Sequence, residues 1–316
     1  MKRSVAGLTL CLTLTGTLPV EAGRAFVPEY GRGTVAIIDL AEKKVVDRVR
    51  TGTSAWGVSV DPKRARAYVT NSGSDDVSVL DTASGKVIAT IDVDRNPTGL
   101  TVLPNGGKVY VANADANSIS VIDANALKVS KTIAVGTSPR CLVADPASTK
   151  VYVTNNHSQS ISVIDTLTDE VSSTILTGPQ PYGIAIHPDA SRLYVPTFGD
   201  NTLAIIDATT GKQLKAIAVT DGPQGVGMSA DGRDVYVSSP KSNVVTILDS
   251  SDGKVKAQVT VGEFPRGISY DATADKIYVA TTRANTLTIL DGKTYQFEAT
   301  VDDLRWPMAF GSFIVP

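Results

Sequence analysis

Residues 68–71 read Tyr-Val-Thr-Asn, and the aromatic-Val pair that begins this stretch returns every 42 residues along the chain. The aromatic position of the repeat is filled by Phe26, Tyr68, Tyr110, Tyr152, Tyr194, Tyr236 and Tyr278. A second landmark keeps the same spacing at Asp39, Asp81, Asp123, Asp165, Asp207, Asp249 and Asp291. Seven repeats of this length, each with several short strands, are typical of a propeller. The spacing therefore predicts a seven-bladed β-propeller.

Each repeat carries four strand signals. In the repeat that begins at Pro181, apolar and β-branched runs are separated by turn residues such as His187-Pro188-Asp189. These runs cover residues 184–186, 193–196, 202–206 and 214–219. No window beyond the first 22 residues has a sustained apolar period of 3.6, so no helix is expected. The sequence predicts an all-β fold of four-stranded antiparallel blades.

The two ends of the repeat region each supply part of a blade. Residues 26–50 give three strands with no inner strand before them, and Trp306 to Ile314 give one inner strand with nothing after it. We expect the C-terminal inner strand to join the three N-terminal strands. This closes the ring without an unpaired blade edge.

The first 22 residues fall outside the repeats. Lys2 and Arg3 precede an apolar run from Val5 to Leu18, and Ala22 ends a short segment of the kind that signal peptidase cleaves. Residues 1–22 are therefore predicted to be a secretory signal, and residues 23–316 one propeller in the periplasm or outside the cell. The apolar run is too short for a membrane span, and no other transmembrane segment is expected.

Charge and cysteine content limit the classes of partner. The formal net charge is −2, and it becomes −3 when Lys2, Arg3 and Glu21 are removed with the signal. This balance gives no general attraction to nucleic acid or to an acidic membrane surface.

Cys141 occupies a column that otherwise holds small residues, so it is interpreted as a packing residue. The other members of that column are Gly57, Gly99, Gly183, Gly225, Gly267 and Ala309.

The repeat motif resembles a known family. The Tyr-Val-Thr-Asn stretch, the Ile-Ser-Val-Ile-Asp segments at 119–123 and 161–165, and the Pro-x-Gly-Ile segments at 181–184 and 265–268 are similar to the YVTN-repeat β-propellers. That family includes YncE-like periplasmic proteins and archaeal surface-layer proteins. The resemblance covers the region after residue 22 and implies a binding or surface protein, with single-stranded DNA as one ligand that YncE-like members are said to bind.

Motifs of catalysis are scarce. The two histidines, His157 and His187, are not at metal-ligand spacing, and no Cys-x-x-Cys, Gly-x-Ser-x-Gly or phosphate-loop motif occurs. All seven repeats have equal length, so no blade is expected to carry an inserted lid. We expect no metal and no cofactor.

The candidate site is the column just before the small inner-strand residues. Because connections in a four-stranded meander alternate ends, this column borders the central opening on the same face as the loops after the Tyr-Val-Thr-Asn stretch. Its members are Trp56, Thr98, Arg140, Tyr182, Gln224, Arg266 and Met308. Such a mixture of aromatic, cationic and amide side chains is suited to ligand binding, because aromatic rings beside guanidinium groups anchor peptides, flat anions and unpaired bases.

Bulky residues concentrate on adjacent blades of that face. Phe264 and Trp306 stand two positions before Arg266 and Met308, and Tyr30 lies on the other loop of the closing blade. Trp56 and Trp306 could be exposed anchors or buried residues that hold the closing strand, and the sequence leaves this open. A second candidate group contains Arg140, His157, Tyr182 and Phe198.

The sequence thus favours an exported binding module, expected to be a monomer, that engages a protein or small ligand over the opening. The predicted ligand-binding residues are Trp56, Arg140, Tyr182, Arg266, Trp306, Met308 and Tyr30. Two alternatives remain: a hydrolase or lactonase-like enzyme with a channel site, and a single-stranded nucleic-acid binder. The first would need acidic or histidine side chains at the opening, and the column offers none.

Overall fold

The structure is a computed structural model that describes residues 23–315. The predicted secretory signal at residues 1–22 lies outside the described residues. All regular structure in the described range is β-strand, arranged in seven four-stranded antiparallel sheets. The predicted all-β, seven-bladed fold is therefore confirmed.

The strands are named in chain order and grouped into blades, each given from the centre of the ring outward. Blade 1 contains β28 (Ile314–Val315), β1 (Arg24–Glu29), β2 (Thr34–Asp39) and β3 (Lys44–Arg50). Blade 2 contains β4 (Ala55–Asp61), β5 (Arg66–Asn71), β6 (Asp76–Asp81) and β7 (Val87–Asp92). Blade 3 contains β8 (Pro97–Val102), β9 (Lys108–Asn113), β10 (Ser118–Asp123) and β11 (Lys128–Ala134). Blade 4 contains β12 (Pro139–Ala144), β13 (Lys150–Asn155), β14 (Ser160–Asp165) and β15 (Glu170–Leu176).

The remaining blades follow the same plan. Blade 5 contains β16 (Ala185–Ile186), β17 (Arg192–Thr197), β18 (Thr202–Asp207) and β19 (Gln213–Ala218). Blade 6 contains β20 (Gly225–Met228), β21 (Asp234–Ser239), β22 (Val244–Asp249) and β23 (Val255–Thr260). Blade 7 contains β24 (Pro265–Asp271), β25 (Lys276–Thr281), β26 (Thr286–Asp291) and β27 (Phe297–Val301).

Burial differs between the middle and outer strands of a blade. In blade 2, β5 and β6 are buried along almost their whole length, whereas β7 is mostly exposed. Middle strands pack against the neighbouring blades on both faces, which explains why these runs are continuously apolar rather than alternating. The repeated tyrosines, such as Tyr68 and Tyr194, lie in the resulting cores.

The threonine of the repeat motif links one blade to the next. The backbone N–H of Gly57 donates to Thr70 Oγ1 at 2.8 Å, and this hydroxyl donates to the carbonyl of Thr98 in blade 3 at 2.6 Å. Thr154 and Ser238 make the same bridge from blades 4 and 6. Each hydroxyl thereby satisfies two buried backbone groups that would otherwise be left without partners.

The seven repeated aspartates shape turns. Asp165 Oδ1 accepts backbone N–H groups of Leu167 and Thr168, and Asp207 Oδ1 accepts those of Thr209 and Thr210. These are side-chain-to-backbone bonds of the kind that Asp makes in tight turns. The aspartate column is thus structural in every blade.

The ring closes as predicted, because β28 pairs with β1 in blade 1. The closing strand is nevertheless irregular. Between the pairs Glu29↔Pro307 and Arg24↔Val315 it advances eight residues, whereas β4 advances six over the equivalent pairs Asn71↔Ala55 and Arg66↔Asp61. The predicted inner strand from Trp306 to Ile314 is therefore reduced to a bridge at Pro307 and a short strand, with two additional residues between them.

Two backbone features accommodate these additional residues. Ala309 and Gly311 both have positive φ, and a Cβ atom at Gly311 would lie 2.2 Å from the carbonyl oxygen of Val58. The carbonyl of Phe310 accepts the N–H of Val58 at 3.0 Å, which holds the bulged segment against blade 2. As a result, the side chain of Phe310 reaches the aromatic residues at the ring centre.

Candidate site at the central opening

The side chains of the inner-loop column converge on the ring axis. Phe310 stacks on Trp56 with ring centroids 4.5 Å apart and lies 5.5 Å from the Tyr182 ring. These three residues enter from blades 1, 2 and 5, so contacts among them cross the centre of the ring. Together with the buried Met308 they belong to one apolar cluster. We call the opening above this cluster the mouth.

The mouth has a polar half on blades 4 to 7. Arg140 lies over the Tyr182 ring with its Cζ 5.9 Å from the centroid. Arg266 and Arg140 both act electrostatically on the Tyr182 hydroxyl: burial raises the pKa of Tyr182, and the two positive charges oppose that rise. Gln224 lies on blade 6, between the blades of Tyr182 and Arg266, and is only 8% exposed.

Three polar atoms of this half are buried without a hydrogen-bond partner. They are Arg140 Nε, Arg266 Nε and Gln224 Oε1. No ion pair within residues 23–315 involves either arginine. Buried polar groups are ordinarily paired, and an unpaired one costs about 1 to 3 kcal/mol. Three of the ten such atoms in the described residues fall in this column, which makes the mouth a candidate site for an external polar group.

The backbone beneath the mouth is fixed by the inter-blade bridges. Thr154 Oγ1 donates to the carbonyl of Tyr182 at 2.6 Å, and Ser238 Oγ donates to the carbonyl of Arg266 at 2.6 Å. The hydroxyl of Thr98 donates a hydrogen bond to the carbonyl of Arg140 at 3.1 Å. The functional side chains thus stand on rigid strand ends, which favours a preorganised site.

Phe310 also bounds a second space, on the opposite side of the apolar cluster. This channel cavity has a volume of about 310 Å³. Its lining includes Cys141, Ile184, Met228, Ile268 and Phe310. Burial raises the pKa of the Cys141 thiol to about 12, so the thiol stays protonated at neutral pH. This environment fits its interpretation as a packing residue.

The outer rim of the mouth carries exposed aromatic rings. Trp306 is 46% exposed and Tyr30 37% exposed, and their centroids are 6.5 Å apart. Trp56 is only 5% exposed. The structure thus separates the two tryptophans: Trp56 is part of the central cluster and Trp306 of the rim.

Cations pack on aromatic rings around one arc of that rim. Arg305 lies over Trp306, Arg283 lies over Phe264, and Lys241 lies over Phe198. The distances to the ring centroids are 5.7, 4.4 and 4.6 Å, respectively. These pairs are within the range of cation–π attraction.

The predicted residues therefore form two groups. Trp56, Arg140, Tyr182, Arg266 and Met308 lie at the mouth, whereas Tyr30 and Trp306 lie on the rim. The second candidate group is divided, because Arg140 and Tyr182 belong to the mouth, His157 is exposed on a loop and Phe198 packs against Lys241.

Two residues of the mouth were missed. Gln224 stood in the predicted column but looked unexceptional, and only its burial shows that its amide lacks a partner. Phe310 stands two positions after Met308 and is outside the predicted column. Its place on the axis depends on the two additional residues of that strand, for which the regular repeat gives no signal.

Within 23–315 no cluster of three or more His, Cys, Asp or Glu side chains could hold a metal ion. In the same range no helix has the length and apolar character needed to cross a membrane.

The chain is a seven-bladed propeller with a candidate site at one end of its axis. The family model described as outer membrane protein assembly factor BamB matches residues 31–259. This match covers more than half of the chain, and the chain belongs to that family. No curated protein matches the chain.

Solved structures share the fold at low sequence identity. Hydrazine synthase from Kuenenia stuttgartiensis aligns with a TM-score of 0.76 at 21% identity, covering 89% of this chain and 99% of that chain. A functionally unknown protein from Desulfotomaculum acetoxidans aligns with a TM-score of 0.79 at 13% identity, covering 92% and 98%. Dihydro-heme d1 dehydrogenase NirN, in complex with DHE, aligns with a TM-score of 0.71 at 15% identity, covering 91% and 66%. At these identities the likeness shows the fold alone.

Proposed function

We propose that this protein is an exported binding module whose ligand sits on the mouth. The observation that carries the proposal is the set of three unpartnered buried polar atoms on Arg140, Gln224 and Arg266. Other buried side-chain atoms of the described residues also lack partners, such as the Oδ1 atoms of the motif asparagines, but the atoms on Arg140, Gln224 and Arg266 belong to the column that borders the opening. The BamB description of the family supports a protein as partner.

We also propose that the chain belongs with the YVTN-repeat, YncE-like propellers and is exported to the periplasm. The repeat motif and the apolar N-terminal segment support this proposal. Intact-mass analysis of protein recovered from outside the cytoplasm provides the test, because cleavage after Ala22 gives a mature chain that begins at Gly23. A mature form that retains Met1 would contradict it.

The binding function can be tested with the tryptophans of the chain, of which there are two. In a Trp306→Phe variant, Trp56 is the single indole, and its emission reports on the mouth. A library of peptides and small metabolites is titrated against this variant. We expect at least one compound to change the emission saturably.

A matched pair of substitutions locates the bound compound. Tyr182→Ala removes a ring from the mouth, and Tyr30→Ala removes one from the rim. Loss of an anchoring side chain costs about 2 kcal/mol of binding, so Tyr182→Ala should weaken binding about 30-fold and Tyr30→Ala should change it little. If the compounds bind both variants with equal affinity, the binding site is not at the mouth. The same conclusion follows if no compound in the library changes the emission of Trp56.

A second candidate function is the binding of single-stranded nucleic acid, which is favoured by the arc of cation–aromatic pairs on the rim. Aromatic rings beside cations stack with unpaired bases. Fluorescence anisotropy with a labelled oligothymidine tests this candidate at low and high salt. Binding that falls with salt and with Arg283→Gln would support it, whereas unchanged anisotropy at low salt would exclude it for this probe.

A further inference from the structure

The geometry points to a carboxylate as the group that completes the mouth, and this inference rests on the proposed function. We infer that the ligand is amphipathic. Its carboxylate sits between Arg140 and Arg266, and its apolar part covers the stacked rings of Trp56 and Phe310. The proposed function states that the mouth binds a ligand. The inference adds that this ligand has a carboxylate and an apolar part.

The polar half of the mouth is positive and contains no carboxylate. It holds two guanidinium groups, and neither has a carboxylate partner in the described range. The Nε atoms of Arg140 and Arg266 are buried donors without acceptors. A carboxylate supplies two oxygens with several lone pairs and is the anion that guanidinium groups bind with matched geometry.

Two neighbours of the guanidinium groups reinforce this preference. Burial raises the pKa of the Tyr182 hydroxyl, so at neutral pH it is a neutral group that can donate a hydrogen bond to an anion. The Gln224 amide, with its unpartnered Oε1, can accept from a donor next to the carboxylate or, after rotation, donate its own N–H. The column that forms the mouth contains no acidic side chain.

The opposite half of the mouth is apolar. Trp56 and Phe310 are stacked at 4.5 Å with an interplanar angle of 13°, and Met308 lies in the same cluster. These residues are almost fully buried, so an apolar group attached to the carboxylate would contact only the small exposed edge of this cluster. The division into a cationic half and an apolar half is the reason for an amphipathic ligand rather than a small inorganic anion.

This chemistry has two sources, a free carboxylic acid and the C-terminus of a peptide. The probes are therefore 3-phenylpropanoate with its amide, and an N-acetylated tetrapeptide ending in phenylalanine with its C-terminal amide. Each is titrated against the Trp306→Phe protein, with Trp56 emission as the readout. We expect each acid to bind at least ten-fold more tightly than its amide, and the better acid identifies the source.

Arginine substitutions test the cause of this discrimination. In an Arg140→Gln/Arg266→Gln variant the acid and the amide should bind within about two-fold of each other, whereas Arg283→Gln, which removes a rim cation, should keep the ten-fold ratio. Equal binding of acid and amide by the parent protein would overturn the inference. An equal effect of Arg283→Gln would overturn it too.

The unfolding midpoint separates a binding role from a structural one. The double variant loses two unpartnered buried donors but also the packing of Arg140 on Tyr182 and of Arg266 on Phe264, so its urea midpoint should stay close to that of the parent protein. A clear fall in the midpoint would show that the arginines serve the fold and would overturn the inference. If neutral compounds change Trp56 emission and no acid does, the inference of a carboxylate is wrong, but the proposed binding function stands. If no compound in the library changes Trp56 emission, both the inference and the proposed function are wrong.

Discussion

At the scale of the residue, identical side chains have different environments because the closing blade departs from the repeat. Trp56 is buried against Phe310, whereas Trp306 is about half exposed beside Tyr30 and Arg305. The repeat column could predict that both lie on one face. It could not predict their burial, since that depends on where a neighbouring blade places Phe310.

Substitution of the two tryptophans should separate these environments. Trp56→Ala leaves a cavity in the central cluster and should lower the free energy of unfolding by about 3 to 5 kcal/mol. Trp306→Ala removes a side chain from the surface and should lower it by about 0.5 kcal/mol or less. Urea unfolding followed by circular dichroism measures both. Similar losses for the two variants would contradict the assignment of Trp56 to the core.

Buried Glu29 stands at the position where blades 2 to 4 have the motif asparagine and blades 5 to 7 have threonine or serine. Its carboxylate accepts from Arg32 at 2.6 Å, from Thr34 at 2.7 Å and from Arg48 at 3.2 Å. Glu29→Gln removes the charge that both arginines contact and should cost about 2 kcal/mol of stability, the scale of a hydrogen bond to a charged group. Thermal and urea unfolding measure the loss.

Glu42→Gln is the matched control for Glu29→Gln. Glu42 pairs with Lys44 at the surface, where an ion pair contributes about 1 kcal/mol or less. A loss at Glu42 as large as that at Glu29 would show that the buried pairing has no special role in blade 1.

At the scale of the element, the motif threonine holds blades together through a bond pattern that the spacing alone does not disclose. Tyr68 and Val69 could be predicted as core from their apolar character. The partners of Thr70 could not, because Gly57 and Thr98 meet it only after two blades have packed. Blade 3 has Ala112 in place of the threonine, and the hydroxyl of Thr98 contacts the Ala112 carbonyl there.

Thr70→Val keeps the shape of the side chain and removes its hydroxyl. The N–H of Gly57 and the carbonyl of Thr98 would then be buried without this partner, so the free energy of unfolding should fall by about 1 to 3 kcal/mol. Thr132→Val, on the exposed face of β11, makes the same chemical change away from the core and should have little effect. Denaturant unfolding compares the two. If both variants unfold at the parental midpoint, the bridge contributes nothing.

At the scale of the whole molecule, the aspartate turns make the ring sensitive to acid. Hydrogen bonds from turn residues lower the pKa of Asp81, Asp123, Asp165, Asp207 and Asp249, and Lys276 does the same for Asp291. A folded-state pKa below the unfolded value means that the unfolded chain binds more protons as the pH falls. The associated stability is present above the unfolded pKa, near 4, and is lost as the pH falls through the folded values.

Thermal unfolding across pH should follow this sign. We expect a midpoint that is nearly constant from pH 7 to pH 5 and that decreases progressively below about pH 4. An Asp165→Asn variant has one titrating turn carboxylate fewer. Its unfolding midpoint should therefore decrease less steeply below about pH 4. A midpoint that rises on acidification would contradict the contribution of these turns.

The pairing of β28 with β1 in blade 1 determines when the mouth is completed. Met308 and Phe310 leave the ribosome after the six complete blades, yet they form the apolar half of the mouth. A nascent chain that has folded those blades still lacks the stack on Trp56. If the mouth binds a ligand as proposed, binding requires the pairing of β28 with β1, because ring closure places Phe310 on Trp56, and a chain with an unpaired closing strand should not bind.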